Sequence, residues 1–319
     1  MPTPFLNELK INIKPKARLE DYTTFRLGGP CRALILCQTP GELESVIKHL
    51  VKDKLPFILI GGGSNLVVSD EGIDCYVVRY VSTEPLIRRE GNDIIVSGST
   101  NLDSLALYAA NESLEGLNYI SGIPGTVGGA VVGNAGAFGK QVGDVLKSVT
   151  VISQSGQRRE LKPKDLGFTY RHSNLKETGD IVREACFVLS PGDKNELLKE
   201  RAEYLKTRHE KHPDLSTHPC AGSFFRNIEP TSKAERRQAA GWFLEQAGGK
   251  NLQVGGAMIF EKHANIIVKG PNCTAQNVHD LSVEMAKLVK KSFNLDLVRE
   301  VRFVGKIASN RPANGQWFW

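Results

Sequence analysis

The sequence predicts an α+β protein built from more than one domain. Its 319 residues suffice for two or three domains and a sizeable core, and 40% of them are hydrophobic, as in ordinary soluble globular proteins. Apolar segments of strand length and amphipathic segments of helix length occur from the beginning of the chain to its end. Two glycine-rich runs, at 61–65 and 121–139, interrupt these segments and are the first candidates for a binding site.

Residues 1–80 form the first predicted part, a strand–helix–strand unit. Thr39, Pro40 and Glu42 give a capping box with proline at the first helical position, which predicts a helix that ends near Lys54. Strands are predicted at 32–37, 57–60, 66–69 and 75–79.

Residues 81–205 and 206–305 form the second and third predicted parts, and both mix strands with helices. In the second part we predict strands at 94–97, 148–153 and 181–189, a helix from Thr100 and a helix at 195–211. In the third part we predict strands at 254–260, 264–268 and 297–304, a helix that ends at 248–249 and a helix at 274–293. A tail, residues 306–319, follows and ends in Trp317-Phe318-Trp319.

The charge balance and the apolar pattern exclude several function classes. The net charge of +6 is mild, and no run of five basic residues occurs, so no nucleic-acid partner is expected. No stretch reaches the roughly 18 consecutive apolar residues of a membrane span, and the first residues lack the apolar core of a secretory signal. We therefore expect a cytoplasmic protein that binds an anionic small molecule. We also expect a monomer, although no sequence feature reports the oligomeric state.

Cysteine and histidine residues do not predict a metal site. The six cysteines are scattered without a C-x-x-C pair, which is typical of a reducing cytosol. They are Cys31, Cys37, Cys75, Cys186, Cys220 and Cys273. His209, His212 and His218 lie close to Cys220, but their spacing matches no zinc pattern. We expect no bound metal ion.

The two glycine-rich runs predict a cofactor held by main chain. Residues 121–139 read SGIPGTVGGAVVGNAGAFG, and no ordinary helix or strand tolerates so many glycines, because each one gives up extra backbone entropy and supplies no side chain to pack. Upstream, the apolar segment 57–60 leads straight into GGGSN at 61–65. Backbone N–H groups in such loops are a typical phosphate-binding surface. A flexible linker is the alternative, but the run carries Ile123 and Phe138 rather than serine and charge.

Neither glycine run fits the Rossmann fingerprint. That fingerprint needs G-x-G-x-x-G at a strand-to-helix turn, with an acidic residue about 20 positions further on. No helix clearly begins after 61–63, and Gly122, Gly125 and Gly128 have a period of three with no strand leading into them. The sequence therefore predicts a cofactor cradle outside the Rossmann class.

Eight short motifs then follow one another along the chain. They are TTFRLGGP (23–30), GGGSN (61–65), SGIPGTVGGAVVGNAGA (121–137), YRHSNLK (170–176), AGSFFRN (221–227), AGWFLEQAG (240–248), VGGAMIFEKHAN (254–265) and REVRFVG (299–305). In this order they resemble the UDP-N-acetylenolpyruvoylglucosamine reductase family over roughly residues 20 to 305. Only 51 residues separate Arg171 from Ser223, so the chain resembles the shorter branch, which lacks a tyrosine-bearing lid loop.

The resemblance implies the fold, the cofactors and the reaction. It implies a two-part FAD-binding domain of the PCMH/vanillyl-alcohol-oxidase type, followed by a C-terminal α/β substrate-binding domain. FAD would be the cofactor and NADPH the co-substrate, giving hydride to the flavin N5. The flavin would return hydride to C3 of UDP-N-acetylglucosamine enolpyruvate, and a proton added at C2 would complete UDP-N-acetylmuramate, a peptidoglycan precursor.

The resemblance also assigns three catalytic residues whose chemistry suits this reaction. Arg171 matches the arginine that binds the substrate carboxylate, and its rigid fork of donors suits two carboxylate oxygens. Ser223 matches the proton donor to C2. Glu300 matches a glutamate near the same carboxylate, where it would have to carry a proton to act as a donor.

Further residues are assigned to binding. For FAD these are Gly61, Gly62, Gly63, Ser64, Asn65, Ser121, Gly122, Ile123, Pro124, Gly125, Gly128 and Gly129. For the substrate these are Tyr170, Lys211, Asn227 and His263, with Lys211 and Asn227 expected at the diphosphate.

Two other functions stay open at this stage. One is another FAD oxidase or dehydrogenase, acting on a 2-hydroxy acid or a sugar, but the loop 61–65 has no histidine or cysteine to attach the flavin, and the motifs around Ser223 and Glu300 would have no explanation. The other is a non-catalytic nucleotide-binding protein, which would predict the loss of Arg171, Ser223 or Glu300.

Overall fold

The structure, a computed structural model, describes residues 11–230 and 237–307. The α-helices in these residues are α1 (Pro40–Lys52), α2 (Leu102–Asn111), α3 (Val127–Gly133), α4 (Leu175–Thr178), α5 (Lys194–Lys211), α6 (Ala240–Gln246) and α7 (Ala275–Phe293). The strands are β1 (Asn12–Pro15), β2 (Cys31–Cys37), β3 (Phe57–Ile60), β4 (Leu66–Val68), β5 (Ile73–Tyr80), β6 (Ile87–Glu90), β7 (Asp93–Ser97), β8 (Leu114–Glu115), β9 (Gly136–Ala137), β10 (Lys140–Gln141), β11 (Leu146–Ile152), β12 (Arg158–Leu161), β13 (Ile181–Val188), β14 (Ser190–Pro191), β15 (Cys220–Ser223), β16 (Gln253–Val254), β17 (Ala257–Phe260), β18 (His263–Lys269) and β19 (Arg302–Val304). No helix in these residues is long and apolar enough to cross a membrane.

The first sheet has the strand order β1-β2-β5-β3, in which β2, β3 and β5 are parallel. Helix α1 connects β2 to β3, and its capping box forms as predicted: the Thr39 side chain accepts from the Glu42 N–H, and Glu42 accepts from the Thr39 N–H. The apolar face of α1, including Leu43 and Val46, is fully buried against this sheet. This packing holds the end of β3 in place, and the first glycine loop begins directly after it.

The second sheet is antiparallel, with the order β12-β11-β13-β7-β6. Helices α2 and α3 contribute to the core beside it. The expectation that the long glycine run excludes a helix is wrong, because α3 spans Val127–Gly133 inside it. Thr126 caps this helix, and a Cβ added at Gly128 would lie 3.1 Å from the Gly98 carbonyl oxygen, so glycine here permits a close backbone approach.

The third sheet has the order β15-β18-β17-β16, and α6 and α7 pack beside it around one core. The strand predicted at 254–260 divides into β16 and β17, because Gly255 takes a left-handed turn with φ of 52°. The strand predicted at 297–304 shortens to β19, because residues before it bond to a loop, as in the isolated bridge between Phe225 and Arg299.

The chain finally returns to its first part. Strand β19 pairs in parallel with β4, with Arg302 opposite Leu66. The three main sheets use residues 12–80, 87–188 and 220–269, while boundaries at 80, 205 and 305 stay a prediction. Most of the predicted tail, including Trp317-Phe318-Trp319, lies outside the described residues.

Candidate active site

A cavity of about 1650 Å³ opens where the three sheets meet. Its walls include the two glycine loops, the Tyr170-Arg171 turn, the end of β15 and the segment around Glu300. Pockets for one small ligand usually enclose about 300–1,000 Å³. The cavity therefore has room for a cofactor and a second ligand at the same time.

The two glycine loops touch each other and form one wall. A Cβ added at Gly62 would lie 3.4 Å from Gly125 Cα, and one added at Gly61 would lie 2.5 Å from Thr126 Oγ1. The Ser64 hydroxyl donates to the Pro124 carbonyl at 3.0 Å. Bare main chain thus lines the cavity from both loops, as a cradle for a phosphate-bearing cofactor requires.

The other residues assigned to FAD lie along this wall, with one exception. Gly63, Asn65, Gly122, Ile123, Gly128 and Gly129 line the cavity, whereas Ser121 is fully buried and lies outside the cavity lining. The Gly128 N–H donates to the Gly98 carbonyl at 2.9 Å, so it is engaged within the protein. The Ser121 hydroxyl is buried without a hydrogen-bond partner among the described residues.

Helix α5 braces the second glycine loop through two arginines. Arg208 Nε donates to the Ser121 carbonyl at 2.7 Å. Arg201 forms a bidentate pair with Asp103, at 2.7 and 2.8 Å, and Asp103 also accepts the Gly122 N–H at 2.7 Å. Burial alone would raise the pKa of Asp103, but the bonds from Arg201 and the Gly122 N–H outweigh it and hold this pKa below its ordinary range.

The three predicted catalytic residues line the same cavity. Arg171 Nε lies 3.0 Å from Glu300 Oε1, and Arg171 Nη1 donates to the Gly136 carbonyl at 2.8 Å. Both side chains remain partly exposed, at 24% and 22%. The guanidinium is thus oriented by one ion pair and one hydrogen bond, and it is still reachable by a ligand.

Two hydrogen bonds to the main chain of Glu300 fix this residue relative to Ser223 and the first glycine loop. The Glu300 N–H donates to the carbonyl of Phe224, the residue after Ser223, at 2.9 Å. The Asn65 side-chain amide donates to the Glu300 carbonyl at 3.1 Å. Residues separated by as many as 235 positions are thereby held on one wall.

Three more cations lie in this region, and the sequence analysis did not single them out: Lys176, which contacts the Arg171 carbonyl, and Arg226 and Arg302, which act on Lys176. Burial, together with Arg302 and Arg226, lowers the pKa of Lys176 to about 8, against the opposing effect of Glu300. Burial, with Arg226 adding to it, lowers the pKa of Arg302 to about 10. The wall around Arg171 therefore favours a bound anion. The sequence signal was that each lies in a quoted motif: Lys176 in YRHSNLK, Arg226 in AGSFFRN and Arg302 in REVRFVG.

The four residues assigned to the substrate also line the cavity. The Asn227 N–H donates to the Tyr170 hydroxyl at 3.2 Å, and Arg237 lies over the Tyr170 ring, 4.1 Å from its centroid. Lys211 ends α5, one residue before His212.

Two imidazole rings face each other beside this end of α5. The rings of His212 and His263 lie 5.5 Å apart. Burial, with His263 and nearby cations adding to it, lowers the pKa of His212 to about 4, and burial also lowers the pKa of His263. Both rings are therefore neutral at neutral pH, and Lys211 lies near both of them as a cation. Within 11–230 and 237–307, no three His, Cys, Asp or Glu side chains converge as a metal site.

Comparison with known proteins first defines the class. A family model for an FAD binding domain matches residues 31–162, which contain both glycine loops. Together with the glycine-lined cavity, this match defines an FAD-binding flavin oxidoreductase.

The rest of the chain defines the family. The model for the C-terminal domain of UDP-N-acetylenolpyruvoylglucosamine reductase matches residues 213–304, which contain Ser223 and Glu300. The reductase of Lactobacillus acidophilus is 34% identical, covering 94% of this chain and 98% of the relative, and that of Carboxydothermus hydrogenoformans is 36% identical, covering 90% and 92%. The crystal structure of the Thermus caldophilus reductase superposes with a TM-score of 0.74 at 32% identity, covering 92% of this chain and 98% of that one. The chain belongs to the UDP-N-acetylenolpyruvoylglucosamine reductase family, and the predicted fold class and FAD cofactor are confirmed.

Proposed function

We propose that this protein uses NADPH to reduce UDP-N-acetylglucosamine enolpyruvate to UDP-N-acetylmuramate, in peptidoglycan precursor synthesis. The observation that supports this most is the Arg171–Glu300 pair, on a wall with an excess of positive charge and in the same cavity as Ser223 and both glycine loops. Family membership supplies the substrate class.

The reaction needs a cation at the substrate carboxylate and a proton at C2. Bound FAD, cradled by 61–65 and 122–129, would supply hydride transfer between NADPH and the enolpyruvyl group. Arg171 would bind the substrate carboxylate, where negative charge grows as hydride is added to C3. Ser223 would give its hydroxyl proton to C2. Glu300 would hold the Arg171 guanidinium in place through their contact at 3.0 Å.

The sugar nucleotide would extend from Arg171 toward the end of α5. Lys211 would meet the diphosphate as a cation, while neutral His263 and the side-chain amide of Asn227 would act as hydrogen-bond donors. Tyr170, held by Arg237 and by the Asn227 N–H, would form the floor between the two regions. We propose that the protein works as a monomer in the cytoplasm, where its six free cysteines would stay reduced.

Anaerobic stopped-flow absorbance at the flavin band tests this function. NADPH is mixed with the purified protein first, and UDP-N-acetylglucosamine enolpyruvate second. We expect bleaching by NADPH and recovery on addition of the enolpyruvyl substrate. Bleaching without recovery would reject the substrate and keep a flavin oxidoreductase of another specificity.

A further inference from the structure

Lys176 contacts Arg171, the residue that would bind the substrate carboxylate in the proposed reaction. Its Nζ donates to the Arg171 carbonyl oxygen at 2.7 Å, and its partly buried side chain lines the cavity. Lys176 lies in the four-residue helix α4, directly after the Tyr170-Arg171 turn. This hydrogen bond therefore joins the side chain of one cation, Lys176, to the main chain of another, Arg171.

The main chain of Arg171 takes a conformation that this contact stabilises. Arg171 has φ of 57°, in the left-handed region that non-glycine residues disfavour. It sits at the tip of a tight turn, in which Thr169 and His172 exchange both of their main-chain hydrogen bonds, at 3.1 and 3.2 Å. The Lys176 ammonium holds the carbonyl at this tip, while Glu300 and Gly136 hold the guanidinium. Both ends of Arg171 are thus fixed.

The charges that face the ammonium are unbalanced. Arg171 and Arg302 act on Lys176 from the turn and from β19, and Arg226 acts from the segment after β15. Glu300 opposes them. Arg226 Nε is buried and has no hydrogen-bond partner in the described part of the chain. A bound substrate carboxylate would add a second negative charge beside Glu300 and relieve this repulsion.

We propose that Lys176 is a positioning residue for the proposed reduction: as an ammonium ion it locks the left-handed Arg171 turn and adds positive charge behind the guanidinium that receives the substrate carboxylate. This inference rests on the proposed function. It distinguishes a lysine that acts on the reacting carboxylate from one that only caps a turn. A capping lysine would support folding equally in its charged and neutral forms, because both can donate to the carbonyl.

The charged form can be followed by pH. With its pKa lowered to about 8, Lys176 loses its charge in the free enzyme within an accessible range. Arg302 keeps its charge to about pH 10. The pH dependence of kcat/KM reports the ionisation of groups in the free enzyme. We therefore expect kcat/KM for the enolpyruvyl substrate to fall above about pH 8. The limiting rate should fall less, because the bound carboxylate favours the ammonium form.

The experiment isolates the second half-reaction. Flavin reduced with dithionite is mixed anaerobically with UDP-N-acetylglucosamine enolpyruvate between pH 6.5 and 9.5, for wild type, Lys176→Met, Lys176→Arg and Lys164→Met. Lys164 is an exposed lysine on the same connection and serves as the matched control. We expect Lys176→Met to lower the second-order rate constant at pH 7 by about 10- to 100-fold and to abolish the alkaline fall. Lys164→Met should match wild type.

Each outcome decides a separate question. If reduced wild-type flavin is not reoxidised by the substrate, the proposed function fails rather than this inference. If wild type works and Lys176→Met keeps its rate and its alkaline fall, the inference is overturned. Should Lys176→Met fail to fold or to retain flavin, Lys176→Arg decides: we expect activity within about 3-fold of wild type at pH 7 without the alkaline fall, and a wild-type profile would refute the role.

Discussion

Replacing Asp103 tests the bracing of the cofactor loop by α5. In Asp103→Ala, Arg201 loses its bidentate partner and the Gly122 N–H loses its acceptor. Arg201 is only 8% exposed, so its guanidinium would be left buried without a counter-charge. Breaking a buried ion pair costs about 3–5 kcal/mol.

Solvent screening lowers this energetic cost here, because the Asp103 side chain is 36% exposed. We therefore expect a loss of about 2–3 kcal/mol in the free energy of unfolding, which lowers Tm by roughly 3–5 °C in a chain of 319 residues. The bond from the Gly122 N–H to the carboxylate is worth about 1.5–3 kcal/mol. If it is lost with the order of the loop, affinity for FAD falls about tenfold or more.

The assay combines thermal unfolding of the FAD-free protein with titration of FAD into it. Glu112→Ala is the matched control, because Glu112 follows the same helix and pairs with Arg89 at the surface, where such pairs are worth about 0–1 kcal/mol. Loss of stability without loss of FAD affinity would show that Asp103 stabilises the fold but does not hold the loop. Equal behaviour of the two variants in both measurements would refute the whole argument.

Three further predictions follow from the same site. Ser223→Ala should leave flavin reduction by NADPH nearly intact and slow reoxidation by the enolpyruvyl substrate about 10²-fold or more, and stopped-flow traces with equal losses in both half-reactions would remove Ser223 as the proton donor. Gly61→Ala should abolish tight FAD binding, because its Cβ would lie 2.5 Å from Thr126 Oγ1, whereas Gly41→Ala, with nothing within 4 Å, should bind FAD like wild type in the same fluorescence titration. His212 has its pKa lowered by burial from 6.5 to about 4, so its stabilising contribution is complete above about pH 6.5 and is lost as pH falls toward 4. Tm should therefore fall less between pH 7 and 5 in His212→Gln than in wild type, and an unchanged slope, or an equal change in exposed His209→Gln, would contradict this reasoning.

Elements set by local sequence could be predicted. Helix α1 forms where Thr39, Pro40 and Glu42 indicate it, because its capping bonds join residues three positions apart. The helix inside the glycine run could not be predicted in this way. The entropic cost of its glycines is offset by packing that only the fold creates, such as the contact of Gly128 with Gly98 in another part of the chain.

The same distinction applies to the site. The motifs pointed to Arg171, Ser223 and Glu300, but the bracing residues carry no local signal. Arg208 donates a hydrogen bond to the Ser121 carbonyl, 87 positions away. The sequence of α5 alone would predict a solvated basic residue there. The environment of Lys176 likewise depends on distant residues, because β19 and the segment after β15 bring Arg302 and Arg226 beside it and these lower its pKa.

Asn65 shows how the fold couples cofactor and catalysis. Its side-chain amide donates to the Glu300 carbonyl, and its main-chain carbonyl accepts the Arg302 N–H, both at 3.1 Å. The same residue belongs to the first glycine loop and precedes β4, whose partner strand β19 begins at Arg302. One residue therefore fixes the cofactor loop and the segment that carries Glu300. Because both bonds end on main chain of the 300–302 segment, the position of the Glu300 backbone relative to the first glycine loop is set by short local contacts.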